Sequence, residues 1–309
     1  MQITIVGAGI MGRLWAAYLT SGERDVCLFD TSPEVVADLN QHGITVEEPG
    51  GATRTVKVRA VSAVDGLGPQ DLIFFLVKSE QTEPAARAVR GLAGPDTALV
   101  TLQNGWGHGG TLSEIFPPAQ IVIGTTYQGG SLTHDGKVFH AHEGGTIVGP
   151  YADGGDLRFA QLASSTLNAA GIRATASREA RKAIWDKLTF AAAVLPVAAL
   201  TGLDNGRDLA DPAVLPVINE IVTEVAAEAN ARGYAMSADE EVTRIVTRLQ
   251  ATGYAKASML QDVEAHRKTE VDFITGEIVR MARSRGGEAP VCAAVTALVH
   301  GRELSWRSG

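Results

Sequence analysis

The chain opens with an apolar run that leads directly into a glycine-rich turn, "ITIVGAGIMG" at residues 3–12. Three glycines here have the spacing G-x-G-x-x-G and stand where a strand should pass into a helix. In that position the first glycine permits a tight turn, the second lets backbone approach a pyrophosphate, and the third lets the helix pack on the strand. The segment predicts a dinucleotide site at Gly7, Ala8, Gly9, Ile10, Met11 and Gly12, in preference to a glycine turn without a ligand.

Strand-like and helical patterns alternate along the first half of the chain. Apolar runs cover residues 3–9, 25–30, 71–77, 97–103 and 120–126, and helical patterns cover 10–21, 33–42 and 80–92. Strands buried on both faces and joined by helices predict a doubly wound parallel sheet. Two further strands, 137–142 and 145–150, follow the turn "DGK" and predict an antiparallel edge.

The second half has a different character. Helical segments at residues 178–200, 211–233, 237–251, 256–284 and 289–304 replace the strand-like runs. The predicted fold class is therefore α/β, with a Rossmann-type domain at 1–177 followed by an all-helical domain at 178–309 that serves the substrate and dimerisation.

Composition excludes several classes of protein. The net charge is -8, and no cluster of Lys and Arg stands out, which argues against a nucleic-acid partner. Cys27 and Cys292 are the two cysteines, so there is no disulfide framework and no Cys-x-x-Cys metal motif. His140 and His142 share a strand face, but without a third ligand they favour a surface hairpin over a metal site. With neither a signal-peptide pattern nor an uncharged bilayer-length run, we expect a cytoplasmic protein without a membrane partner.

An acidic residue ends the second predicted strand. Asp30 can accept hydrogen bonds from the ribose hydroxyls of NAD(H) and would repel the 2′-phosphate of NADP(H). No arginine follows in "FDTSPEV", and Thr31 or Ser32 is better placed to cap the next helix. The sequence therefore favours NAD(H) over NADP(H).

Three further polar residues suggest chemistry. Lys78 and Asn104 follow predicted strands, at the sheet edge where ligands of such folds bind. Lys187 stands at the head of an apolar helix, "IWDKLTFAAAVLPVAAL". A lysine there either extends to solvent or, partly desolvated, serves as a proton donor.

Seven segments in order along the chain resemble the ketopantoate reductase (2-dehydropantoate 2-reductase) family: "GAGIMG", "VKSEQT", "LQNGWG", "IGTTYQGG", "WDKL", "LTGLDNG" and "SMLQDVEAHRKTEVDFITG". The resemblance implies a Rossmann domain followed by a helical domain, with the active site between them. It also implies reduction of a 2-oxo acid with a nicotinamide cofactor, usually NADPH.

The resemblance assigns roles residue by residue. The glycine loop would hold the pyrophosphate, Lys78 and Asn104 would lie between cofactor and substrate, and Gly129 would contact the nicotinamide through its backbone. Lys187 matches the proton donor, and Glu270 matches the carboxylate near the cofactor and the reacting centre. Asn205 and Ser258 match substrate-binding positions.

The sequence departs from the family at the substrate. The family commonly has asparagines four and eight residues after the catalytic lysine, where this chain has Ala191 and Leu195. We therefore expect a homodimeric oxidoreductase that interconverts a 2-oxo acid and its 2-hydroxy acid with NAD(H). The alternatives are a catabolic dehydrogenase of another hydroxy acid or sugar acid and a non-catalytic NAD-binding regulator.

Overall fold

The structure is a computed structural model that describes residues 1–20, 24–251 and 256–306. Residue 21, the last of the first predicted helical segment, lies outside them. The described chain divides into a first unit of residues 1–103 and 108–183 and a second unit of residues 104–107 and 184–309.

The first unit contains all the strands of the described chain. They are β1 (Gln2–Val6), β2 (Asp25–Phe29), β3 (Ile44–Glu47), β4 (Thr53–Val56), β5 (Arg59–Val61), β6 (Gln70–Phe75), β7 (Ala93–Thr101), β8 (Ile121–Thr126), β9 (Gly129–Leu132), β10 (Val138–His142), β11 (Thr146–Pro150) and β12 (Ala174–Ala176). Its helices are α1 (Ile10–Leu19), α2 (Pro33–His42), α3 (Thr82–Ala88), α4 (His108–Ser113) and α5 (Arg158–Ala169).

The main sheet has the order β12-β11-β8-β7-β6-β1-β2-β5. Six neighbouring strands, β8, β7, β6, β1, β2 and β5, pair in parallel. The apolar runs predicted all of them except β5. The order reverses between β1 and β6, so the ends of these strands form the crevice where such sheets bind ligands. The strand predicted at 145–150 is β11, and it pairs antiparallel with β8. It does not form the edge of the sheet, as was predicted, because β12 lies outside it and pairs parallel with it.

A second sheet, β4-β3-β10-β9, was not predicted. The hairpin at "DGK" belongs to this sheet, where β9 and β10 pair antiparallel. His140 on β10 is buried, so its predicted place on a surface hairpin is wrong. Gly130 on β9 lies against α1, because a Cβ added there would be 3.1 Å from Ile10 Cγ2.

The second unit is helical and has its own apolar core. The chain enters it within α6 (Ala180–Thr201) and continues through α7 (Leu215–Asn230), α8 (Ala238–Ala251), α9 (Ser258–Glu264), α10 (Thr275–Ser284) and α11 (Pro290–Ser305). By length and composition α6 alone among the described helices could span a bilayer, but 67% of its most apolar window is buried inside the protein, as in a core helix.

The predicted helix over 256–284 is interrupted. His266 has a φ of 51°, in the left-handed region, and Arg267 N donates to Asp262 O at 2.8 Å. This arrangement is typical of a helix C-terminus and ends α9. Glu270 consequently lies in the connection before a 3₁₀ turn at Val271–Phe273, and not on a helix as its sequence pattern suggested.

Candidate active site

The glycine loop has the backbone that a dinucleotide site needs. Gly7 has a φ of 101°, and a Cβ at Gly12 would lie 1.8 Å from the carbonyl oxygen of Gly7. Side chains are therefore excluded at both positions by the protein itself. A Cβ at Gly9, which caps α1, would meet nothing within 4 Å. Open space at the helix N-terminus is what an approaching pyrophosphate requires.

Three residues inside this loop and one after it complete its shape. Ala8 is buried, whereas Ile10 and Met11 on the first turn of α1 are partly exposed. Arg13 donates from Nε to the carbonyl of Ala8 at 2.9 Å, which places one guanidinium beside the loop.

Asp30 connects the loop to the next helix. Its Oδ2 accepts a hydrogen bond from Ala8 N at 2.8 Å, and its Oδ1 accepts one from Ser32 N at 3.0 Å. Each carboxylate oxygen keeps a second lone pair, which can accept from a ribose hydroxyl. Ser32 caps α2 as predicted, since its Oγ accepts from Val35 N.

The strand ends beside the crevice are held by internal hydrogen bonds. Lys78 follows β6 and is partly buried. Gln103 donates to the carbonyl of Val77 at 2.9 Å, and the hydroxyl of Ser79 lies 2.9 Å from His108 Nε2. Burial lowers the pKa of His108 to about 4, so this histidine is neutral near pH 7. As a neutral hydrogen-bonding partner of Ser79, it holds the backbone next to Lys78 in place.

Gly129 begins β9, next to a buried polar network. His140 Nε2 lies 2.7 Å from Gln128 Oε1, and its Nδ1 lies 2.9 Å from the Tyr18 hydroxyl. Tyr18 in turn donates to Glu48 at 2.9 Å, and burial together with this carboxylate raises the tyrosine pKa to about 12. The network therefore ties α1 to the second sheet beside Gly129.

Two members of this network, His140 and Glu48, are residue types that bind metal ions. Ligand atoms of Glu48, His140 and Glu143 lie within 4.8 Å of one another. The sequence showed no third ligand beside His140 and His142, whereas the fold places Glu48, from a distant part of the chain, and Glu143, three residues after His140, close to that histidine. Hydrogen bonds to Tyr18 and Gln128 already engage both histidine nitrogens, so the prediction of no metal stays a prediction.

In the second unit, the loop at residues 104–107 rests on the turn that follows Glu270. Gly105 has a φ of 95°, and a Cβ there would lie 2.2 Å from the carbonyl oxygen of Phe273. Trp106 N donates to the same oxygen at 3.0 Å. These contacts bring Asn104 into the unit that holds Lys187 and Glu270, which the sequence did not indicate.

Lys187 lies on α6 and is partly buried. Desolvation lowers its pKa to about 8; the Glu270 carboxylate opposes this shift and the Arg248 guanidinium adds to it. Trp185, two residues earlier, packs on Trp106 with ring centroids 4.9 Å apart. With a pKa of about 8, Lys187 can exist in both its protonated and its neutral form near neutral pH, as a group that transfers protons must.

The remaining predicted positions differ in exposure. Ala191 and Leu195 follow Lys187 along one face of α6 and are 6% and 8% exposed. Asn205 Oδ1 is buried without a hydrogen-bond partner among the described residues. Ser258 is exposed at the first residue of α9.

Comparison with known proteins identifies the family. The family model described as ketopantoate reductase PanE/ApbA matches residues 3–153, and the model of its C-terminal part matches residues 179–303. The chain belongs to the ketopantoate reductase family. The predicted family, fold class and oxidoreductase function with a nicotinamide cofactor are thereby confirmed.

Relatives in this family span the whole chain. The 2-dehydropantoate 2-reductases of Halobacterium salinarum and Vibrio cholerae are each 31% identical, the first over 100% of both chains and the second over 99% of both. Among solved structures, D-mandelate dehydrogenase with NADH and anilino(oxo)acetate has a TM-score of 0.92 at 26% identity, covering 99% of both chains. The 2-dehydropantoate 2-reductase of Geobacter metallireducens has a TM-score of 0.89 at 25% identity, covering 97% of this chain and 99% of its own.

Proposed function

We propose that the chain interconverts a 2-oxo acid with an apolar side chain and its 2-hydroxy acid, using NAD(H) and Lys187 as the acid–base group. The observation that carries the proposal is the face of α6. It presents a lysine of lowered pKa, followed one and two turns later by Ala191 and Leu195.

Lys187 supplies the proton that the reaction needs. When NADH is bound, the nicotinamide supplies a hydride to the carbonyl carbon of the acid. As that carbon gains the hydride, negative charge develops on the carbonyl oxygen, and Lys187 Nζ donates a proton to it. In the reverse direction the neutral amine accepts the hydroxyl proton. A pKa of about 8 leaves both forms accessible near neutral pH.

Glu270 supports this role. Its negative charge raises the pKa of Lys187 against the effect of desolvation, so a large share of the lysine stays protonated at pH 7. Asn104 lies in the same unit, on the loop that rests against Phe273. We assign to this asparagine a contact with the substrate or the nicotinamide. We assign to Lys78, in the first unit, a contact of the same kind.

Asp30 supports the preference for NAD(H). Its carboxylate is fixed by two backbone N–H groups, with lone pairs left for the ribose hydroxyls. A 2′-phosphate would meet that negative charge. Arg13 lies beside the same loop but engages Ala8 O, so this cation offsets the repulsion only in part.

The apolar face supports the class of substrate. Ala191 and Leu195 offer no hydrogen bond, and a buried substrate hydroxyl without a partner costs about 1–3 kcal/mol. D-mandelate is the substrate in the name of a structural neighbour. Its side chain is an aromatic ring, whereas the side chain of pantoate carries a hydroxyl group. Asn205, whose buried Oδ1 has no hydrogen-bond partner in the described part of the chain, remains available for the hydroxyl group of the 2-hydroxy acid. Ser258 would serve the same site, and the homodimer and the cytoplasmic location stay predictions from the sequence.

A panel of acids with both cofactors tests the proposal. We expect kcat/KM for phenylglyoxylate with NADH to exceed that for ketopantoate with either cofactor. Ala191→Asn should raise the activity with ketopantoate, and Ala193→Asn, at a buried position off this face, is the matched control. A wild-type preference for ketopantoate over every apolar acid would contradict the substrate assignment, and equal or better use of NADPH would contradict the cofactor assignment.

A further inference from the structure

One arginine lies beside the glycine loop with most of its N–H donors unused. Arg13 is the fourth residue of α1 and is partly buried. Side chains on a helix tilt toward its N-terminus, so this one reaches back over the loop, where Nε donates to the carbonyl of Ala8 at 2.9 Å. That bond is the single hydrogen bond of the Arg13 side chain among the residues that the structure describes, and the guanidinium forms no ion pair with any of them. The N–H groups on both Nη atoms therefore remain.

The backbone of one residue fixes this cation and the neighbouring acid. Ala8 N donates to Asp30 Oδ2 at 2.8 Å, while Ala8 O accepts from Arg13. A guanidinium is planar and rigid, so the bond at Nε also fixes the Nη groups beside the loop. The loop consequently has a positive charge in a set position, and no carboxylate of the described chain is paired with it.

The pyrophosphate of NAD(H) brings more negative charge to this loop than the backbone balances. Its two phosphate groups each carry a negative charge near pH 7, whereas the N-terminus of a helix such as α1 offers the equivalent of about half a positive charge. Asp30 adds a further negative charge nearby. The pyrophosphate is expected in the open space at Gly9, where a Cβ would meet nothing within 4 Å. A second source of positive charge beside this space would therefore stabilise the bound cofactor.

We propose that Arg13 binds the pyrophosphate of the cofactor through its Nη groups while its Nε holds the carbonyl of Ala8. The proposal rests on the proposed function, because its ligand is the NAD(H) assigned there. Arginine suits the task, since two of its N–H donors lie in one plane and pair with two phosphate oxygens at once. NADH, NADPH and ADP-ribose share the pyrophosphate, so the contact should strengthen the binding of all three.

The test separates the charge of Arg13 from its bond to Ala8. In Arg13→Gln the amide nitrogen stands at the same place along the side chain as Nε, so it can keep the hydrogen bond while the charge and the Nη groups are removed. We expect this variant to bind NADH and ADP-ribose roughly 10- to 100-fold more weakly in calorimetric titrations, the usual value of a charge-assisted hydrogen bond. NADPH should lose affinity by the same factor, and Arg13→Lys should restore part of the loss.

Arg178→Gln is the matched control. Arg178 belongs to the same unit, is exposed, and likewise donates to one backbone carbonyl, that of Gly155 at 2.9 Å. Its replacement should leave all three affinities unchanged, and circular dichroism checks the fold of each variant. The salt dependence of binding is a second readout, one that a purely structural role would not change. Because ions screen charge pairs, the Kd of NADH should rise more steeply with added salt in the wild type than in Arg13→Gln.

Three results would overturn the proposal. If Arg13→Gln binds NADH and ADP-ribose as tightly as the wild type, the arginine only braces Ala8. If NADPH alone loses affinity, the guanidinium contacts the 2′-phosphate and not the pyrophosphate. Equal salt slopes would show that no charge pair is formed. ADP-ribose binding needs neither an acid nor turnover, so a wild type that binds it without reducing any 2-oxo acid would refute the proposed function and leave the role of Arg13 in place.

Discussion

The proposed cofactor half, in the first unit, and the proposed acid–base half, in the second unit, are built in different ways. The first consists mainly of backbone in one continuous stretch, Gly7 to Gly12, with one carboxylate, Asp30, that two backbone N–H groups hold in place. The second is proposed to consist of the side chains of Asn104, Lys187 and Glu270, which lie far apart in the sequence and belong to one compact unit. Changes in the first half should therefore act mainly through shape, and changes in the second through charge.

The largest effect is expected in the acid–base half. Lys187→Ala should lower kcat roughly 10²- to 10⁴-fold, the usual contribution of a general acid, because no proton is then delivered to the developing alkoxide. Steady-state assays with phenylglyoxylate and NADH give the rate, and circular dichroism confirms the fold. A folded variant that keeps more than about a tenth of the wild-type rate would show that Lys187 merely extends to solvent.

Two glycines of the cofactor half should differ in how their replacement affects folding and NADH binding. Gly12→Ala places a Cβ 1.8 Å from Gly7 O. We therefore expect the free energy of unfolding to fall by about 1–3 kcal/mol and the binding of NADH to weaken as well. Gly9→Ala meets nothing within 4 Å and has a suitable φ of -68°, so it should fold normally. It should still weaken NADH binding about tenfold, near 1.4 kcal/mol, because the methyl group occupies the ligand's space. Denaturation and fluorescence titration measure the two effects, and normal NADH affinity in Gly9→Ala would refute the assigned pyrophosphate position.

Asp30 tests charge inside the half that depends mainly on shape. Asp30→Ala should reduce the ratio of kcat/KM with NADH to that with NADPH about tenfold or more, mainly by improving NADPH, since the repulsion of the 2′-phosphate is removed. Asp38→Ala, an exposed acid on α2, is the matched control and should leave the ratio unchanged. If NADPH activity does not improve in Asp30→Ala, the carboxylate only braces Ala8 and Ser32.

The smallest effect concerns Glu270. Glu270→Gln keeps the size of the side chain and removes the charge that raises the pKa of Lys187, so the pKa of the lysine should fall further below about 8. Reduction needs protonated lysine, and its rate should therefore decline at a lower pH than in the wild type. Glu264→Gln, at an exposed position of α9, is the control and should leave the profile unmoved.

The two halves also differ in how far the sequence predicts them. The glycine spacing, the acid 18 residues after Gly12 and the apolar parallel strands are local patterns, and the structure reproduces the alternation of strand and helix that they predicted. The second sheet was missed because its strands are short; β4, "TRTV", has no apolar run.

Several parts of the acid–base half depend on packing that no local pattern reveals. The contact of Gly105 and Trp106 with Phe273, which brings Asn104 into the second unit, joins positions about 170 residues apart. The effect of Arg248 on Lys187 was missed because the place of this arginine over Phe190 depends on how α8 packs against α6. The end of α9 before Glu270 was likewise not predictable, because the residue with left-handed backbone there is His266 and not a glycine.

The role of Lys187 as a desolvated proton donor can be measured through the pH dependence of kcat/KM for phenylglyoxylate reduction by NADH. We predict that kcat/KM is constant at low pH and falls tenfold per pH unit above an apparent pKa near 8, as Lys187 loses its proton. The oxidation of mandelate by NAD should rise over the same range, because it needs the neutral amine. A reduction rate that stays constant up to about pH 10, near the ordinary lysine pKa of about 10.4, would contradict the assignment of Lys187 as a desolvated proton donor.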